Sequence, residues 1–227
     1  YTIHALTRDN AVIDLKLLRL RTFRASTASG GLCRLAMGAI PFMLPLMLQV
    51  GFGMAPLQSG FTTFITSLGA LGTKTFASRL AQKYGFRKLL VWSGVGLTFM
   101  IVGMAQFSPA TPHWFMLIFL LVYGVVRSVQ FTNIQALAYA DLTPESMSKG
   151  TSMASVIQQL TNSFGVATAA TVLAIIVGDN AVITPHDFQM TFLVLATFPL
   201  LSALGFSFLK PTDGAEMAGN RRRRGGA

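Results

Sequence analysis

Tyr123, Arg127 and Gln130 are spaced i, i+4, i+7 within the apolar run "LLVYGVVRSVQFTNIQ", residues 120–135, with Asn133 beside them. On a helix that spacing puts the first three on one face. An arginine in mid-bilayer costs roughly 2.5–3.5 kcal/mol on insertion scales, so such a stripe faces a cavity or another helix, not lipid. The chemistry on offer is recognition: a fixed positive charge, a phenol and amides that both donate and accept. A second stripe, Thr151, Ser155, Gln158 and Asn162, obeys the same arithmetic, with Gln159 beside it, and runs on into Gly165 and Ala169. Two uses fit it. The polar half lines a wet cavity and the small half packs, or the polar groups join helices by hydrogen bonds.

The other ionisable groups narrow the options. Arg34 lies a turn or two inside the first apolar run, where it snorkels to the headgroups, adds a further cavity charge or joins a salt bridge. Lys74 lies near the end of the second run and reads as snorkelling. Asp9, Asp14, Asp141, Glu145, Asp179, Asp187, Asp213 and Glu216 all fall outside the apolar runs. This chain therefore offers Arg127 no mid-membrane carboxylate, and no such group to carry a proton. The partner of Arg127 is an acid elsewhere in the assembly, an anionic substrate, or carbonyls and water. No nucleophile–base pair, metal set or phosphate loop stands in a defensible place, so the chain does not read as an enzyme and implies no cofactor. The single cysteine, Cys33, excludes an internal disulfide and a multi-cysteine metal site, and reads as a small apolar residue. His4, His113 and His186 are scattered and form no metal constellation.

The elements that must position these residues are membrane spans. Of the 227 residues 52% are hydrophobic and 11% charged, against about 25% charged in soluble domains; mean hydropathy is +0.56. Six runs are long enough to cross a bilayer: about 28–50, 57–77, 89–107, 114–138, 151–177 and 189–209. A soluble bundle would show a polar face every 3.6 residues, and the third run has almost none. Pro41 and Pro45 interrupt the hydrogen-bond ladder of the first run and predict a bend there, either static or used to open a pathway. Gly94 with Gly103, Gly165 with Ala169, and Gly69 with Gly72 are candidate close-packing pairs.

Loop charge sets direction. Arg8, Lys16, Arg19, Arg21 and Arg24 precede the first run; Arg79, Lys83, Arg87 and Lys88 follow the second; Lys149 follows the fourth; Lys210 and Arg221 to Arg224 follow the sixth. The other three connections, near 51–56, 108–113 and 178–188, contain no lysine or arginine. This alternation obeys the positive-inside rule and predicts both termini in the cytoplasm. Residues 1–27 then form a cytoplasmic lead-in, whose stretch 11–24 suits an amphipathic surface helix or a solvated linker. Residues 210–227 form a basic tail suited to anionic lipid. The net charge of +10 sits in short clusters between apolar runs, not on one face, which excludes nucleic acid as the natural partner.

The segment "ASRLAQKYGFRKLL", 77–90, resembles the loop signature of the major facilitator superfamily, Gly-x-Leu-Ala-Asp-Arg-x-Gly-Arg-Lys-x, through Leu80, Ala81, Lys83, Gly85, Arg87 and Lys88. Ser78 replaces its first glycine and Gln82 its aspartate. The stretch 127–173, with Arg127, Gln130, Asn133, Asp141 and Gly150 in order, resembles the last third of the fourteen-span EmrB/QacA-type drug:proton antiporters. The opening "VIDLKLLRLRTFRAS" resembles the segment that enters their C-terminal bundle. The likeness covers about 12–209. It implies an all-α integral membrane fold, the C-terminal six-helix bundle of such a transporter, with the proton-binding carboxylates in a missing N-terminal half. It also implies drug efflux by proton antiport, alternating access about a midplane site, and residence in a bacterial inner membrane.

On that reading Tyr123, Arg127, Gln130, Asn133, Ser155, Gln158 and Asn162 line the cavity, and Leu80, Lys83, Gly85, Arg87 and Lys88 form a cytoplasmic gating loop whose cations meet Asp141, Glu145 or a helix C-terminus. The partners are the bilayer, the missing half, a small-molecule substrate and protons. A non-transporting membrane scaffold or assembly subunit and a homodimeric half-size transporter are the alternatives.

Overall fold

The computed structural model describes residue 17, residues 20–178 and residues 182–210, without the side chains at 74–76, 78, 82 and 145. Most of the 11–24 stretch, the tail beyond Lys210, and the side chains of Lys74 and Glu145 therefore lie outside the described residues. Among the described residues every extended element is a helix: α1 (Arg21–Leu46), continued by a π-helical turn (Met47–Gly51), α2 (Pro56–Leu71), α3 (Lys74–Tyr84), α4 (Phe86–Ala105), α5 (His113–Tyr139), α6 (Pro144–Val177) and α7 (Pro185–Ser207). Five are long and apolar enough to cross a membrane: α1 with its π turn, α4, α5, α6 and α7.

The predicted second span, 57–77, is instead broken. α2 has 16 residues, about 24 Å at 1.5 Å each, short of the roughly 30 Å hydrocarbon core. The break is local. Gly72 (φ −68°, ψ −14°) and Thr73 (φ −95°, ψ −15°) stay close to helical geometry, and Thr73 bonds back to Ala70 through both its N–H and its hydroxyl. That tightened turn interrupts α2 and α3 without reversing the chain. The first helix also begins earlier than expected, at Arg21 rather than 28, so the last turns of the predicted lead-in already belong to α1.

Turn chemistry fixes the helix ends. α6 and α7 each start with proline in the first turn. Thr143 and Ser146 exchange bonds at the head of α6, and Asp187 accepts from the N–H and hydroxyl of Thr184 at the head of α7. These contacts satisfy amides that a helix start leaves open. Gly85, at φ 77°, makes the corner between α3 and α4; an L side chain there would be strained.

Contacts between helices give their directions. α1 and α7 are antiparallel: Arg21 donates to the Phe208 carbonyl at one end, Ser202 donates to the Ser29 carbonyl, and Gly51 meets Phe188 at the other. α2 and α5 are parallel, Gly124 lying on the Thr66 backbone and Ser128 donating to the Ala70 carbonyl. α1 and α6 are also parallel, with Gly31 near Thr161 and Gly165 on the Leu35 backbone. The start of α1, the α3–α4 corner and the end of α7 thus share one end of the bundle. Gly38 and Gly165 on the α1–α6 seam, and Gly69 and Gly124 on the α2–α5 seam, let backbone touch backbone. Of the predicted small pairs, Gly94 meets Ala203 and Gly165 meets Leu35, while Gly103 lies under Phe119 and Gly72 faces open space.

Candidate functional site: a cavity on Tyr123 and Arg127

α1, α2 and α5 line a half-open cavity of about 330 Å³. α1 contributes Ile40, Pro41, Leu44 and Pro45; α2 contributes Thr63, Phe64, Thr66 and Ser67; α5 contributes Tyr123 and Arg127. α1 stays helical through both prolines. Each proline nevertheless frees a carbonyl one turn back, those of Met37 and Pro41, and Ser59 of α2 separately reaches the carbonyl of Pro45 at 3.5 Å. The widened turn Met47–Gly51 follows directly. The proline-bearing turns of α1 therefore form one wall of the cavity, a place where backbone short of hydrogen bonds is tolerated in a membrane.

Arg127 is half-buried, and makes no hydrogen bond or ion pair among the described residues. Tyr123, one turn before it, is 1% exposed, and its hydroxyl has no protein partner. A buried phenol without a partner costs free energy unless water or a ligand satisfies it. Across the cavity Thr63 and Thr66 turn their hydroxyl hydrogens onto carbonyls of their own helix, Gly60 at 3.0 Å and Thr63 at 2.8 Å. Their oxygens stay available as acceptors. The site thus combines one cation, a phenol, weak acceptors and an apolar wall.

The rest of the predicted stripe lies elsewhere. Gln130 is fully buried, takes the Ser93 hydroxyl of α4 on its carbonyl oxygen, and has no partner for its amide nitrogen. Asn133 is buried too and donates to the Val129 carbonyl at 2.7 Å. Gln158 accepts from Gln135, which also receives Tyr139, so this group joins α5 to α6. Asn162 gives its backbone to Gly38. Ser155 is exposed and bonded to the Thr151 carbonyl. The structure therefore brings Tyr123 and Arg127 together and leaves Gln130, Asn133, Ser155, Gln158 and Asn162 off this cavity. Sequence reasoning missed Thr63, Thr66 and Ser67. Their signal was the hydroxyl run in "SGFTTFITSLG", masked by the apolar residues around it.

Arg34 does not snorkel. It is 2% exposed; one guanidinium nitrogen reaches the Ser26 carbonyl at 3.5 Å, and its Nε and second terminal nitrogen have no partner. It is also off the cavity. At the basic end, Asp141 accepts from Thr22 at 2.8 Å rather than from a loop cation. Lys83 lies 5.4 Å from the centre of the Tyr84 ring, while Leu80 is half-buried and Arg87 and Lys88 are exposed. Among the described residues no group of histidine, cysteine or acidic side chains is placed to hold a metal.

Residues 27–226 match the model of the Major Facilitator Superfamily. The chain belongs to that superfamily. It is also 31% identical over 230 residues to proteins of Salmonella heidelberg (strain SL476) and Salmonella typhi that carry the name "Putative multidrug resistance protein MdtD". Those alignments take in 99% of this chain and 48% of the relatives, so the chain spans about half the length of the curated relatives it matches. Membership in this superfamily agrees with the helical, multi-pass membrane architecture and points to transport rather than catalysis.

Proposed function

We propose that this chain supplies one six-helix half, the C-terminal one, of a secondary transporter of the EmrB/QacA type. The transporter expels drugs or other amphipathic compounds by proton antiport. The observation that carries the reading is Arg127: a cation in a membrane cavity, beside a phenol with an open hydroxyl and with no acid within reach in the described residues. A charge kept at that depth marks a transport pathway more often than a structural contact. The names of the relatives support drugs as the cargo. In this mechanism the two halves rock about a midplane site. Arg127 meets a carboxylate of the other half in one state and releases it when that acid is protonated or substrate binds. The wall at Pro41 and Pro45 bends as access alternates. Loop charge orients the bundle with both termini in the cytoplasm.

The test is efflux by the full transporter reconstituted in vesicles with an imposed proton gradient. Arg127→Gln lowers substrate flux at least about tenfold, equivalent to about 1.4 kcal/mol, with normal membrane insertion. Normal flux in that variant would reduce Arg127 to a structural role. Absence of gradient-driven flux in the unaltered protein would favour the scaffold reading.

A further inference from the structure

Away from the cavity, two adjoining grooves flank the α3–α4 corner. One, of about 380 Å³, has Arg87 and Lys88 on its wall with Tyr84, Trp92 and Ser207. The other, of about 320 Å³, is lined by Leu80, Leu89, Tyr84, Lys88 and Trp92. Tyr84, Lys88 and Trp92 line both, so the two lie side by side. One half carries positive charge and the other is almost wholly apolar.

The position on the bundle matters as much as the lining. Arg87 and Lys88 open the membrane-crossing helix α4, and Trp92 follows one turn inside it. Trp92 is 74% exposed, and Tyr84 and Phe208 are also exposed, so the aromatic residues point outward rather than into the bundle. Exposed tryptophan and tyrosine beside lysine and arginine are the furniture of a bilayer–water boundary. Neither Arg87 nor Lys88 makes a hydrogen bond or ion pair among the described residues. Asp141, an acid at this end, is bonded to Thr22. The corner thus presents two cations with no ionic partner among the described residues, over an apolar trough that runs toward the hydrocarbon.

We propose that these adjoining grooves bind one anionic phospholipid, with its phosphate between Arg87 and Lys88 and an acyl chain along Leu80, Leu89 and Trp92. A soluble anion would use only the charged half. A zwitterionic lipid would fill the trough without the net charge that the corner rewards. The left-handed Gly85 holds the two halves at their mutual angle, because it joins the helix that carries Tyr84 to the helix that carries Arg87. The proposal needs the membrane-spanning fold but not the transport reading, and its readouts involve no flux.

Native mass spectrometry of the purified protein, released from detergent with equal phosphatidylglycerol and phosphatidylcholine, counts retained lipid. Phosphatidylglycerol is retained in preference. Removing charge in the R87Q/K88Q variant lowers that retention by about fivefold per charge, while phosphatidylcholine is unchanged. R24Q, which removes an exposed cation at the same end away from the grooves, leaves retention intact. Equal losses in the two variants, or equal retention of the two lipids, would overturn the site, and so would competition by millimolar inorganic phosphate. A second measurement keeps the charges in place. In vesicles with brominated chains, the fluorescence difference between W114F and W114F/W92F reports Trp92 alone. Stronger quenching by brominated phosphatidylglycerol than by brominated phosphatidylcholine supports the proposal, and equal quenching overturns it.

Discussion

Two arginines, Arg34 and Arg127, stand more than one turn inside the membrane-crossing helices, and the bundle treats them in opposite ways. Arg127 stands on the α1–α2–α5 cavity, half-buried. Arg34 is sealed inside the bundle, and its one hydrogen-bond partner among the described residues is the Ser26 carbonyl at 3.5 Å. The helical wheel explains the second case. Ser26 and Gly30 of α1 meet Ile134 of α5, while Gly31 and Gly38 meet α6. Arg34 falls between those two stripes, where small residues draw three helices together. Arg127 has no such seal, since the face of α2 opposite it is set back by the cavity. Depth along a span is therefore a poor guide to the role of a charge; what matters is how closely the neighbouring helices approach.

This contrast is breakable. The largest effect is expected from Gly38→Leu. A side chain at residue 38 runs into the Asn162 backbone, and overpacking of this kind costs about 1–3 kcal/mol. The thermal midpoint in detergent falls, and Arg34 becomes accessible to an arginine-selective reagent such as a dicarbonyl. Unchanged labelling of Arg34 would mean that the α1–α6 seam does not seal it. Next comes the pair Arg127→Gln and Arg34→Met. The first lowers flux as set out above and shifts the thermal midpoint little, because a half-exposed group with no partner contributes little to folding. The second removes a buried, mostly unsatisfied charge in favour of a flexible apolar side chain. It should hold or raise stability by about 1 kcal/mol, at the lower end of what replacing buried ions by apolar groups has given elsewhere. A marked loss of stability in Arg34→Met would reveal a counter-charge for Arg34 outside the described residues. The smallest effect is expected from Tyr123→Phe. Its hydroxyl has no protein partner, so the midpoint moves by no more than about 0.5 kcal/mol equivalent, whereas substrate affinity measured by equilibrium binding weakens. Unaltered affinity would take the phenol out of the site.

Much of the architecture was legible because a bilayer imposes length and apolarity on each span. The runs at 89–107, 114–138, 151–177 and 189–209 correspond to α4, α5, α6 and α7 with shifted ends. The break inside the second run was not legible because its mean apolarity hides Gly72 and Thr73, whose tightened turn is a matter of local backbone geometry. The site was legible only in part. Periodicity put Tyr123, Arg127 and Gln130 on one face, but a face is broad. Gln130 turns toward Ser93 of α4 while Arg127 turns toward α2. Which neighbour a polar residue meets depends on helix order in space, and single-helix arithmetic contains no such information. The spacing of small residues around Arg34 was the one clue to its burial, and it was readable from Gly30, Gly31 and Gly38.

The long-range joints of the bundle bear on its biogenesis. The Ser202 hydroxyl that closes on the Ser29 carbonyl comes 173 residues later in the chain, and Ile134, which takes the Ser26 hydroxyl, comes 108 residues later. α1 is made first among these helices and waits for all of its principal partners. During synthesis it holds Arg34 in the bilayer without α5, α6 or α7 to cover it. Until those helices arrive, insertion of α1 is borne by groups outside this bundle, and a stalled chain truncated before α6 is where that exposure would be caught.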